Sequence, residues 1–299
     1  MWKRSARVSS RSFRPIWQSK KIRKLLPWGF LLPSLCGTLI FIILPFVDVI
    51  RRSFSDVMGK NFTGIENYKL VLENEAFRRA AWNTARFTGI CVPLLLLVSF
   101  LLAVLVHGVG KTASRELMKT AFLVPMAVPA ASVVFLWQIL FQDQGLLNRI
   151  LVELDKAPVS FLNSGKAFWV LVFTYVWKNT GYDMVLWLAG LSGIPDSLYE
   201  AAKIDGAGRL ASFRYVTLPA LVDIGGLIAV LSLVNSFKAF REAYLIAGSY
   251  PHESIYLLWH LFQNWFLNLD TTKLYAGAVL MTLVIAVVLA LFSRSQKLE

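Results

Sequence analysis

Six stretches of this chain are apolar over the length needed to cross a lipid bilayer, and that pattern restricts the fold more than any other feature. Crossing roughly 30 Å of hydrocarbon takes about 20 mostly apolar residues in helical form, because lipid offers no partner to backbone N–H and C=O groups. Residues 25–47, 88–106, 121–141 and 274–292 carry no charge at all. Residues 167–190 hold Lys178 and Asp183, and residues 224–248 are clean until Lys238, Arg241 and Glu242. The composition agrees: 56% hydrophobic and 16% charged is more apolar than a water-facing surface hides, since soluble domains run at about 45–50% and about 25%. The expected fold is an all-α membrane protein with six transmembrane helices. The first stretch exceeds the usual apolar core of a secretory signal and has no small-residue cleavage pattern behind it, so it reads as an uncleaved helix.

The formal net charge of +13 is explained by where the charges lie. Residues 1–24, 107–120, 191–221 and the C-terminal tail together hold 17 Lys and Arg against five acids. The intervening segments 48–82, 142–166 and 249–273 hold ten against ten. Cytoplasmic loops carry the Lys/Arg excess, so both termini are expected in the cytoplasm. Residues 1–24 then form a basic cytoplasmic tail suited to anionic lipid rather than to nucleic acid, and residues 25–299 form the six-span domain.

Enzymatic and metal chemistry find no support. Gly108-Val109-Gly110-Lys111-Thr112 resembles the end of a phosphate-binding loop, but Leu105 stands where the first glycine is needed and a span, not a strand, precedes it. Cys36 and Cys91 lie in apolar runs, and His107, His252 and His260 have no carboxylate at metal-ligand spacing. Neither a catalytic residue nor a resident cofactor is expected.

The most structured polar segment is the loop 191–221. Ser197 followed by Glu200 reads as a capping box, and Gly206 stands where a helix would stop. Along that short helix Leu198, Ala201, Ala202 and Asp205 share one face, mostly of small residues. A helix resting on the membrane surface would favour bulkier apolar anchors; a small-residue face suits close approach by another protein.

Glu200-Ala201-Ala202, Gly206 and then Val216-Thr217-Leu218-Pro219 resemble the EAA loop of the membrane subunits of binding-protein-dependent ABC importers. Phe62-Thr63-Gly64-Ile65-Glu66-Asn67-Tyr68, Asn83-Thr84, Pro125-Met126, Trp137 and Gly145-Leu146-Leu147-Asn148 are similar to the sugar-importing, maltose-type branch. The resemblance implies a multi-pass permease of the type I architecture in a bacterial cell membrane. It also implies a homologous second permease, two cytoplasmic ATPase subunits that bind the ATP, and an extracytoplasmic solute-binding protein. Glu200, Ala201, Ala202, Gly206 and Pro219 would couple this chain to the ATPase.

The interrupted spans suggest where solute passes. Ser232, Asn235, Ser236, Ala239 and Glu242 recur at helical period, with Lys238 adjoining, while Asn179 and Asp183 are one turn apart beside Tyr182. Hydroxyl, amide and aromatic groups suit a sugar. The alternative is that the charges are structural ion pairs, Lys238 with Glu242 and Lys178 with Asp183 or a neighbour. Gly248-Ser249-Tyr250-Pro251 departs from the Gly-Gly-Pro common in sugar importers, which keeps open a charged sugar derivative, a phosphorylated polyol or a polyamine. An ATPase-independent secondary transporter would have no use for the EAA loop.

Overall fold

The computed structural model describes residues 20–109 and 113–295, and among them every regular element is helical apart from one isolated antiparallel bridge between Ser55 and Phe62. Most of the basic tail and Gly110, Lys111 and Thr112 lie outside the described residues, as does the side chain of Lys238.

Helix α1, Lys20–Thr38, continues through a π turn, Leu39–Ile43, into α2, Leu44–Ser53, so that Pro45 sits inside one helical run and leaves a carbonyl of the preceding turn without an amide. The short α3, Glu66–Glu73, leads to α4, Glu75–Gly108, whose start is capped by Asn74 accepting from the Phe77 amide at 2.9 Å. With 34 residues, α4 is about 51 Å long. Then come α5, Ala113–Ala127, α6, Ala130–Phe141, α7, Leu146–Glu153, and α8, Ala167–Gly193. The loop helices are α9, Asp196–Ile204, α10, Arg209–Ser212, and, after a π turn, α11, Leu218–Ala220. The chain finishes with α12, Val222–Ser236, α13, Phe240–Ala247, α14, Leu258–Leu267, and α15, Thr271–Ser295.

Helices α4 and α8 form the axis of the bundle. Phe87, Cys91 and Leu95 of α4 pack on Phe168, Leu171 and Tyr175 of α8, with Ala239 and Ala243 closing one side. Farther along, Ala103 and Val106 meet Met184, Trp187 and Leu191, covered by Leu221 and Ile228. A third cluster joins Val71 and Phe77 to Leu261, Phe262 and Trp265 of α14. Small residues set the closest approaches. A Cβ on Gly181 of α8 would lie 1.8 Å from the carbonyl oxygen of Phe122 in α5. Gly181→Ala should therefore force α5 off α8 at a cost of about 1–3 kcal/mol, read as a lower thermal midpoint in detergent. Gly89→Ala, where a Cβ has open space, should be nearly neutral; equal midpoints for both variants would contradict the close crossing.

Among the described residues, four helical stretches are each long and apolar enough to cross a membrane: Trp28–Ser53, Glu75–Gly108, Val222–Ala247 and Thr271–Leu291. The expected third span departs from a straight rod. It is bent by 90° between α5 and the stretch Ala130–Glu153 that α6 opens, because Pro129 adopts an extended conformation with ψ 140° at the N-cap of α6 and disfavours helix in the residue before it. Helix α8, at 27 residues, is long enough but too polar to rank with the other four. The fifth span also breaks, at a 3₁₀ turn over Phe237–Ala239 between α12 and α13. The first helix stands apart, with none of its most apolar window buried against the rest of the chain.

Candidate functional site

Two features of the fold concentrate polar residues: the loop 191–221 and a cavity between α8 and the broken fifth span.

A helix does form in the loop, but not through the expected capping box. It begins at Asp196, with Pro195 at the N-cap and no side-chain capping bond. The ring of Pro195 presets φ near −63°, and Asp196 puts a carboxylate in the first turn where the helix dipole favours it. Ser197 is thereby moved inside the helix. At the other end Gly206 adopts φ +80°, the Gly206 amide donates to the carbonyl of Lys203 at 3.1 Å and the Ala207 amide to that of Ala202 at 2.8 Å. This pair of reversed bonds ends the helix sharply. Glu200, Ala201 and Pro219 are exposed and Ala202 is half-buried. The helix is held from behind by Tyr199, whose hydroxyl lies 2.9 Å from that of the buried Thr217. The helix thus exposes Glu200 and Ala201 together with the apolar Leu198 and Ile204, while its rear is fastened to the bundle.

The cavity has a volume of about 320 Å³ and is lined by Lys178, Asn179, Asn235, Arg241 and Glu242, with Tyr175 and Met126 on its apolar side. Lys178 Nζ donates to Glu242 Oε1 at 2.6 Å, and both side chains are largely buried. The Asn179 amide donates to the Tyr175 carbonyl at 2.8 Å. Such a wall combines a paired charge, amides and an aromatic ring, a set able to hold a hydroxylated solute.

Not all residues of the expected stripe reach that wall. Asn235, Ala239 and Glu242 do, but Ser232 and Ser236 are turned into helix contacts. The Ser232 hydroxyl donates to Asp183 Oδ2 at 2.6 Å, both groups being buried, and Ser236 lies 3.1 Å from the Thr88 hydroxyl. Asn235 and Ser236 are adjacent on α12 and so point about 100° apart, which sends one to the cavity and the other to Thr88. Tyr182 is half-buried and outside the cavity lining. Of the ion pairs considered, Lys178 finds its partner in Glu242 of the fifth span rather than in Asp183, whose carboxylate accepts from Ser232; Lys238 has its side chain outside the described residues. Tyr175 escaped the sequence reading, although its spacing of four residues from Asn179 was the available signal.

The family model for the inner membrane component of binding-protein-dependent transport systems matches residues 95–298. A probable starch degradation products transport system permease protein of Thermoanaerobacterium thermosulfurigenes is 32% identical over 267 residues, covering 87% of this chain and 90% of that one. An sn-glycerol-3-phosphate transport system permease protein of Salmonella choleraesuis is 32% identical over 291 residues, covering 94% and 96%. Among solved structures, a chain of a bacterial ABC transporter involved in import of the acidic polysaccharide alginate superposes with a TM-score of 0.78 at 22% identity, over 93% of this chain and 96% of that chain; this similarity establishes the fold.

Proposed function

The chain belongs to the family of inner membrane components of binding-protein-dependent transport systems, and from that premise we propose that it carries a sugar or oligosaccharide across the membrane as one permease subunit of an ABC importer. A homologous permease would complete the path, an extracytoplasmic binding protein would deliver the solute, and two separate ATPase subunits would supply the energy. Both termini would then face the cytoplasm, with α9 on the same side. The observation that carries this reading is α9 itself, an exposed helix bearing Glu200 and Ala201, stopped at Gly206 and anchored by Tyr199 to Thr217. That construction suits a lever: motion imposed on the helix by closure of an ATPase dimer passes through the Tyr199–Thr217 contact to the start of the fifth span.

The substrate path would run past Asn179, Asn235 and the Lys178–Glu242 pair. Uptake into vesicles holding the assembled complex should require both ATP and the liganded binding protein. Solute accumulation by this chain without any ATPase subunit would overturn the reading.

A second reading, an anionic sugar or phosphorylated polyol as cargo, is favoured by Arg241. It lines the cavity, and among the described residues no carboxylate is paired with it, since Glu242 is engaged by Lys178. A cation at membrane depth costs about 2.5–3.5 kcal/mol on insertion scales and usually faces a partner or an aqueous path. Arg241→Gln should lower uptake of an anionic cargo roughly tenfold or more, as for loss of one charge-assisted hydrogen bond, and leave a neutral cargo nearly unaffected.

A further inference from the structure

Away from the cavity, a cleft of about 660 Å³ opens between the end of α4 and the loop 191–221. Its charged lining groups are all basic or potentially so: His107 from α4, Lys203 from α9 and Arg209 from α10. The hydroxyls of Tyr199, Ser212 and Thr217 complete the polar wall, and no carboxylate lines it. Beside it Arg115, only 6% exposed, reaches Ser192 with one Nη at 3.3 Å. Its Nε and the Nδ1 of His107 are buried without a hydrogen-bond partner among the described residues.

Buried polar atoms left unpaired cost stability unless a ligand or water completes them. Guanidinium, ammonium and imidazole groups converging with hydroxyls form an arrangement suited to a tetrahedral oxyanion, which accepts from several directions at once. The cleft also begins where the apolar run of α4 ends, at Val106 and His107, the depth at which a phospholipid headgroup would lie if the loop faces the cytoplasm.

We propose that the cleft between His107, Lys203 and Arg209 binds a phosphate group, either of a lipid headgroup or of a small phosphorylated solute, and thereby ties α9 and α10 to the end of α4. The proposal rests on the permease reading for its orientation but not for its readout. A bound phosphate would restrain the helix that the ATPase must move, so occupancy would register as slower coupled hydrolysis.

The test uses the assembled complex, free of nucleotide, in nanodiscs of phosphatidylcholine or of phosphatidylcholine with phosphatidylglycerol, titrated with inorganic phosphate at constant ionic strength. Saturable phosphate binding in neutral lipid, weakened tenfold or more by Lys203→Gln with Arg209→Gln and unchanged by Lys166→Gln, would support the site with a soluble ligand. Phosphate binding that disappears when phosphatidylglycerol is present, with that lipid retained by the unaltered complex and lost from the double variant, would support the site with a headgroup in it. Absence of both, or binding indifferent to the double variant, would overturn the proposal. Because binding is measured without transport, a failure of the coupling role of α9 would show separately, as normal uptake in a Glu200 variant.

Discussion

Glu200→Lys combined with Gly206→Leu is expected to leave the chain in the membrane at normal abundance while binding-protein-stimulated ATP hydrolysis and uptake fall roughly tenfold or more, the scale on which reversing a charge at a docking face acts. The two substitutions attack different parts of one device. At φ +80° a leucine with its Cβ costs about 1–2 kcal/mol, which opposes the reversed bonds from Gly206 and Ala207 to Lys203 and Ala202 and frays the helix end. Lysine at position 200 reverses the charge that an ATPase groove would meet. Neither residue is buried in the bundle, so insertion and packing should survive. Measuring membrane abundance beside stimulated hydrolysis separates uncoupling from misfolding, and undiminished hydrolysis would remove α9 as the dock.

Lys178→Met should be the most damaging single change inside the bundle. It leaves Glu242, 8% exposed, without the ammonium now 2.6 Å away. Removing one member of a buried ion pair costs about 3–5 kcal/mol, whereas replacing both members with apolar groups is often neutral. Lys178→Met with Glu242→Met should therefore regain most of the lost thermal stability in detergent. Uptake by that double variant then reports on the cargo. Full recovery of transport would make the pair purely structural; stable protein with uptake still reduced tenfold or more would put the pair on the solute path. A single variant as stable as the unaltered chain would mean that the two side chains do not meet.

Much of this architecture could be read from residue order because its causes are local. Charge-free runs of span length show up in any window of the sequence, and the stop at Gly206 follows from the one residue type that takes a left-handed turn without strain. The failures have equally local explanations. Ser197 and Glu200 fit a capping pattern, but Pro195 sets the start of the helix two residues earlier. The bend at Pro129 was hidden by apolar residues on both sides, which kept the hydropathy of 121–141 continuous through the corner. Partners across the bundle are another matter. Lys178 and Glu242 are 64 residues apart, and periodicity on one helix cannot say which neighbour its charged face meets. The division of the fifth span's polar stripe, with Ser232 and Ser236 in helix contacts and Asn235 on the cavity, depends on which neighbours surround α12, and the period of one helix does not give them.

The right-angle bend that follows α5 has a bearing on water. A helix that ends inside the bilayer leaves its last carbonyls without the amides that would have followed, and hydrocarbon can satisfy none of them. Met126, one residue before the last of α5, lines the cavity that holds Lys178 and Glu242. The elbow thus sets a local shortage of donors beside a wall already furnished with charge. Hydration should gather there first, which makes the bent segment a wick drawing solvent into the interior before any cargo arrives.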